Sequence, residues 1–299
     1  MKLVFFISCL FFSVSLIMTA QTSSSAPEGE VYRGLGLLYD FQFKKADSLT
    51  ASLEKSYPTD VFVQFLSANA YWWKIISGED SPGNRDSLLK RLSLSETILL
   101  NKPKETLSDL ELFCLINVYA YRSRLELLDD SRIKALASLD KSISWVERSF
   151  QRTENYPPFL LTSGLYNYLM AEERSEHVIL RPFLSGFPGS DKAKGLDMLK
   201  KAVAANTPLL QTEAGYFLMR IYLESENDVQ KALEYARQLV QRHPDNLIYQ
   251  YYYYQVLVKG GDKAKQTQQQ KVVENGCCNP VLNEKQRAHF LGLLKKETN

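Results

Sequence analysis

The stretch Glu213–Asn246, EAGYFLMRIYLESENDVQKALEYARQLVQRHPDN, constrains the fold of this chain more than any other. Ala232, Ala236 and Leu239 recur at helical spacing, with Leu233 and Val240 beside them, so an apolar stripe runs down one side of a helix. Lys231, Glu234, Arg237 and Gln241 fall on the opposite side. Pro244 ends that helix, because it lacks an N–H and pushes residue 243 out of helical geometry. Asp228 stands where an N-cap is expected. A preceding helix, from about Thr212 to Glu224, carries Ala214, Phe217, Leu218, Ile221 and Tyr222. Neither helix can bury its stripe alone. Paired, they cover each other and leave an apolar edge for another pair.

The spacing recurs near the start of the chain. Pro58 follows Ala46 at the same interval as Pro244 follows Ala232, and Glu30–Pro58 reads as a second helix pair. With Leu218, Tyr222, Ala232, Leu239 and Pro244 on its pattern positions, the unit resembles the tetratricopeptide repeat (TPR) family. Met219 and Ala236 depart from that pattern. The segments GLYNYLMA (164–171) and GFPGSDKAKGLDMLKKAV (186–203), taken with the organising unit, look like a subgroup of bacterial TPR-like proteins, with a looser similarity to the eukaryotic inclusion-body-clearance/TPR-39 family. The resemblance implies an all-α, right-handed α-solenoid of antiparallel helix pairs, with no chemistry to carry over.

Before the repeats, Lys2 and the apolar run Leu3–Met18 read as a secretory signal, with cleavage between Ala20 and Gln21. Ile7-Ser8-Cys9 has the residue types of a lipoprotein box but lies too near the start. Residues 21–29 read as a disordered tether, and 30–299 as the helical repeat domain. Ala20-Gln21 followed by this polar tether resembles exported proteins of Bacteroidetes-like bacteria, which implies the periplasm or the outer-membrane periphery of a Gram-negative bacterium. Three cysteines remain, Cys114, Cys277 and Cys278, an odd count that is no disulfide framework. The formal net charge of +2 argues against an electrostatic binder of nucleic acid.

Between the two units the pattern predicts helices over 60–76, 86–100, 107–127, 132–151, 158–173 and 192–206. Residues 247–259, 263–275 and 280–296 follow, giving about six helix pairs and a capping helix. Trp72 and Trp73 are adjacent, so one is expected in the core and the other either covering a neighbouring pair or lining a groove. Gly164 is expected at a helix crossing. The stretch Arg174–Gly189, with Phe183, Phe187 and two prolines, is long for a helix–helix link and so a candidate functional loop.

No nucleophile elbow, P-loop, zinc-protease or dinucleotide motif is present, and His177, His243 and His289 are scattered. The chain reads as non-catalytic, with no cofactor and no metal. The suggestive feature is the run Tyr249–Tyr254, interrupted only by Gln250, which covers more than half a helix circumference. Tyrosine offers large contact area with a polar tip. The candidate partner-binding residues are Tyr249, Tyr252, Tyr253, Trp73, Phe183, Phe187 and Arg122. The expected function is a scaffold that binds a protein or peptide partner in the cell envelope. The alternative is a carbohydrate or small-ligand binder using the Tyr-rich helix and residues 174–189.

Overall fold

The computed structural model describes residues 26–176, 187–205 and 207–298. The signal segment 1–20, Cys9, the tether as far as residue 25, His177 and Phe183 lie outside them. Among the described residues the protein is all-helical and has no strand. The helices are α1 (Ala26–Tyr39), α2 (Phe43–Ser56), α3 (Val61–Lys74), α4 (Pro82–Leu100), α5 (Asp109–Leu128) and α6 (Arg132–Ser149). They continue as α7 (Pro158–Glu176), α8 (Lys192–Ala204), α9 (Pro208–Glu224), α10 (Val229–Arg242), α11 (Leu247–Gly260), α12 (Lys263–Gly276) and α13 (Glu284–Thr298). No helix is long and apolar enough to cross a membrane.

Several boundaries differ from the sequence expectation. Ala26–Gly29, assigned to the tether, form the first turn of α1. Pro82 and Gly83 were expected in a loop but open α4, and Pro208 opens α9. Proline suits a first helical position because that N–H has no partner inside the helix. Residues 75–76 belong to a π turn, Ile75–Glu79, whose helical backbone is broken inside it at Gly78, φ +106°.

The chain forms two compact units. The described residues of one are 59–65, 91–176, 187–205 and 207–214; those of the other are 26–58, 66–90 and 215–298. In the first, α5 packs on α6, α6 on α7 and α7 on α8. Ser108 and Glu111 form a reciprocal capping box that starts α5. Phe65, Phe113, Tyr121, Tyr156 and Phe159 build an aromatic core. The crossing anticipated at Gly164 exists, and its closest point is Gly195. A Cβ on Gly195 would stand 2.4 Å from the Tyr168 nitrogen and 2.7 Å from the Gly164 oxygen. The backbones of α7 and α8 touch only because both positions lack a side chain.

In the second unit α1 packs on α2, α10 on α11, and α11 on α12, while α13 seats on the π turn. The α9–α10 pair is closed by Tyr222 and Tyr235, whose rings stack 6.0 Å apart. Ala46, Ala232 and Ala236 are fully buried, and Leu53 and Leu239 nearly so. Tyr57 (φ −136°, ψ 61°) and His243 (φ −129°, ψ 68°) share one conformation before their prolines. Each donates its N–H to the carbonyl four residues back, Leu53 and Leu239 respectively.

One turn geometry recurs in both units. Phe41, Asp130 and Asn227, with φ of 57°, 53° and 55°, each immediately precede the N-cap residue of a second helix. Gly261, φ 75°, does the same before α12. In the first three cases a fully buried alanine follows five residues later: Ala46, Ala135 and Ala232. Gln42 and Ser131 each donate to the carbonyl five residues back, and Phe41 and Asp130 to the one three back, which caps the preceding helix. At the Asn227 turn Glu226 makes the five-back bond and Asp228 a six-back one, so that turn holds an extra residue. Asp228 caps α10 as expected, accepting from Lys231 N at 3.1 Å, whereas Ser131 makes no side-chain cap to α6.

Candidate functional site

A surface cleft of about 510 Å³ opens in the second unit, where two helix turns and the end of α12 face each other. One wall is the α1–α2 turn, Asp40–Lys45. The opposite wall is Pro244–Gln250 at the start of α11. Val272, Gly276 and Asn279–Leu282 close the third side. The floor is apolar, with Phe41, Leu247 and Leu282 nearly inaccessible, while Val272 and Val281 are exposed at the rim.

Local sequence explains each part. Phe41 holds a left-handed backbone, which costs a bulky residue about 1–2 kcal/mol. Its packing against Phe43, Trp73 and Phe290, with ring centroids 5.0, 6.0 and 6.2 Å away, supports it there. Adjacent valines on α12 point opposite ways, Val273 into the core and Val272 outward. Gln250 is buried and satisfied: its Nε2 donates to Pro244 O at 2.8 Å and its Oε1 accepts from Gln269 at 2.6 Å.

The two facing walls are tied together at their base. Asn246 Nδ2 donates to Tyr39 O at 2.8 Å, and its Oδ1 accepts from Ile248 N and Tyr249 N at the start of α11. His243 Nδ1 lies 2.7 Å from Asp40 Oδ1. Burial lowers the His243 pKa below its ordinary value, and the Asp40 hydrogen bond and charge only partly oppose this. On the rim, Lys44 and Lys45 occupy the first turn of α2, which contains no acid. Lys45 Nζ donates to the Gln42 amide oxygen at 2.9 Å.

The candidate partner-binding residues are placed elsewhere. Tyr249 and Trp73 are 2 % exposed and meet edge to face at 6.2 Å in the core, so neither presents a surface to a partner. Trp72 is buried too, so no tryptophan of this pair lines a groove. A helix packed on several sides buries both of two adjacent positions, which the sequence pattern could not resolve. Tyr252 is half-buried beneath Arg220, whose guanidinium lies 4.6 Å from its ring centre. Arg220 also donates to Tyr216 Oη at 2.8 Å and pairs with Glu224 at 2.6 Å. Burial raises the Tyr252 phenol well above its ordinary value and raises Glu224 as well. Tyr253 is half-buried.

Arg122 and Phe187 belong to the other unit. Arg122 is not a free rim cation: it pairs with Glu96 at 2.6 Å and donates to Ser93 Oγ at 3.1 Å. The Phe187 and Pro188 carbonyls accept from Arg174 Nη2, and Tyr166 Oη also donates to Pro188 O. This end of the long loop is thus anchored on α7. Cys114 and Cys277 are buried, Cys278 is exposed, and all three are free thiols; burial pushes Cys277 up to about 11. Among the described residues no cluster of three His, Cys, Asp or Glu could hold a metal ion.

The cleft residues Phe41, Lys44, Lys45, Val272 and Val281 were not legible as a site. Val272, an apolar residue on the outer side of a polar helix, was the one available signal. No protein-family model matches this chain, and no curated protein is significantly similar to it in sequence.

Proposed function

We propose that this protein is a non-catalytic helical-repeat scaffold that binds a segment of a partner protein in the cleft of its second unit. The observation that carries the reading is the cleft itself: an apolar floor and exposed Val272 and Val281, walled by turns that hydrogen bonds hold together. Pre-formed concave sites with an apolar floor and a few polar groups are where proteins take ligands.

The recurrent turn, with its buried alanine, supports treating the hairpins as TPR-like units. The right-handed α-solenoid that the resemblance implies would have each hairpin touch only its sequence neighbours, and the contact of Asp40 with His243 departs from that order. The N-terminal run Leu3–Met18 supports export, with the cell envelope as the place of action.

A photo-crosslinking amino acid placed at position 272, in cells that make the protein, tests this. The expected result is one discrete adduct, mapping to a single partner segment, that is absent when the probe sits at Leu291. Val272 and Leu291 are equally exposed, each at 40 %. Identical adducts from both positions would refute the cleft as the binding site.

A further inference from the structure

Beyond the cleft, and independently of what it binds, we infer that the seat of α13 is an interaction surface for an amphipathic helix of a partner protein. In the free chain α13 itself fills that seat as a displaceable internal ligand. The seat is built within the second unit by the π turn, the α1–α2 turn, α11 and α12, and it reads a helix at four levels. Buried Gln286 donates from Nε2 to Ser77 Oγ at 3.2 Å. Phe290 meets Phe41, with ring centroids 6.2 Å apart. Leu294 joins Tyr251, Tyr254 and Val273 in one apolar cluster. The Glu297 carboxylate accepts from Tyr251 Oη at 3.0 Å and from Gln255 Nε2 at 2.9 Å. An amide, a ring, an aliphatic group and a carboxylate at i, i+4, i+8 and i+11 make a helix-in-groove pattern, and the buried amide fixes its register. A Cβ on Gly78 would stand 2.4 Å from the His289 Cβ, so a helix comes this close to the π turn only because that position is bare.

α13 is a weak occupant of this seat. Of residues 284–297 only Gln286, Phe290 and Leu294 are buried, whereas α11 buries eight of its fourteen residues. Leu291 points outward, 40 % exposed. Gly292 lies inside the helix, which glycine weakens, and nothing stands within 4 Å of where its Cβ would be. The seat therefore does not require glycine there, and alanine would strengthen the helix by about fivefold in a binding constant. An element with so few buried side chains opens ahead of its unit. The tether through residues 277–283 holds α13 at an effective concentration on the order of millimolar, which compensates for the poor fit. A second copy would bring the same glycine against a tethered equal. A partner helix with the same four groups and no glycine displaces α13.

The test uses the full chain. Hydrogen exchange should show the amides of residues 287–296 opening at least about tenfold more often than those of 250–258. A fluorescent peptide of residues 283–298 carrying Gly292→Ala should bind the full-chain variant Leu294→Ala, whose internal occupant is weakened. Its binding should be about fivefold tighter than that of the unaltered peptide, and about tenfold tighter than its own binding to the wild-type chain. Tyr251→Phe, added to the variant, removes the donor to Glu297 and keeps the ring. It should weaken binding of this peptide severalfold and leave a Glu297→Ala peptide unaffected.

Exchange of residues 287–296 only together with α11 overturns the inference. So does a folded Leu294→Ala chain that binds neither peptide, or that binds a scrambled peptide equally well. A wild-type dimer formed by trading α13 would assign the seat to a second copy and overturn it too. Should Leu294→Ala not fold, the full-chain variant Gly292→Ala decides: opening of α13 slowed about fivefold supports the inference, and unchanged opening overturns it. The crosslink at position 272 is read separately, so the cleft reading stands or falls by itself.

Discussion

His243 Nδ1 and Asp40 Oδ1 are 2.7 Å apart although 203 residues separate them in the chain. The contact joins the end of α10 to the end of α1, and Asn246 reinforces it by donating to Tyr39 O. In an array whose hairpins touch only their neighbours in sequence, such a bond would not occur. Here it fixes the spacing of two cleft walls.

Protonation should weaken the unit that holds this contact. Burial lowers the pKa of both His243 and His289 in the folded protein. The unfolded chain therefore takes up protons first, near pH 6.5, while the folded chain resists. Stability is full above that value and declines as pH falls from about 6.5 toward the lowered folded pKa values. The melting temperature should drop between pH 7 and pH 5, and His243→Gln should reduce the drop. A melting temperature that rises over this interval would contradict the burial argument.

Gly195→Ala should destabilise the first unit despite a better helix former. Alanine gains about 1 kcal/mol over glycine in a helix interior. Its Cβ, however, would stand 2.4 Å from backbone atoms of Tyr168, which cannot rotate away. Overpacking of this kind costs about 1–3 kcal/mol, and contact with backbone places it at the upper end. The net loss should be about 2 kcal/mol by urea denaturation, and Gly29→Ala, where no atom lies within 4 Å, should show none.

The shared turn geometry predicts opposite outcomes at equivalent positions. Asp130→Gly relieves a left-handed backbone at an exposed residue and should stabilise by up to about 1 kcal/mol. Phe41→Gly relieves the same strain but removes a buried ring that touches Phe43, Trp73 and Phe290. Losing that ring costs about 3–5 kcal/mol, so packing wins and the variant should be destabilised. Chemical denaturation of the two variants side by side gives the comparison.

Arg220→Lys should cost about 1–2 kcal/mol although charge is kept. The planar guanidinium meets Tyr216 Oη and Glu224 together and lies over the Tyr252 ring. An ammonium group cannot hold that fork. Calorimetry on the variant, with Arg237→Lys on the exposed side of α10 as a neutral control, measures the difference.

The helical class and most helix positions were legible because the apolar stripe of a helix is local. Ala232, Ala236 and Leu239 declare their buried side within one helix, and Pro58 and Pro244 declare where helices stop. Asp228 as a cap and Gly164 at a crossing were readable for the same reason. The side chains that line the cleft were not. Trp73 and Tyr249 looked like recognition aromatics, but whether an aromatic is anchor or core depends on what another part of the chain lays over it. The repeated turn escaped notice because Phe41, Asp130, Asn227 and Gly261 share a backbone dihedral and no side-chain chemistry. The cleft exists because the α1–α2 turn meets residues 243–250, and a pairing over some two hundred residues leaves no periodic trace along the chain.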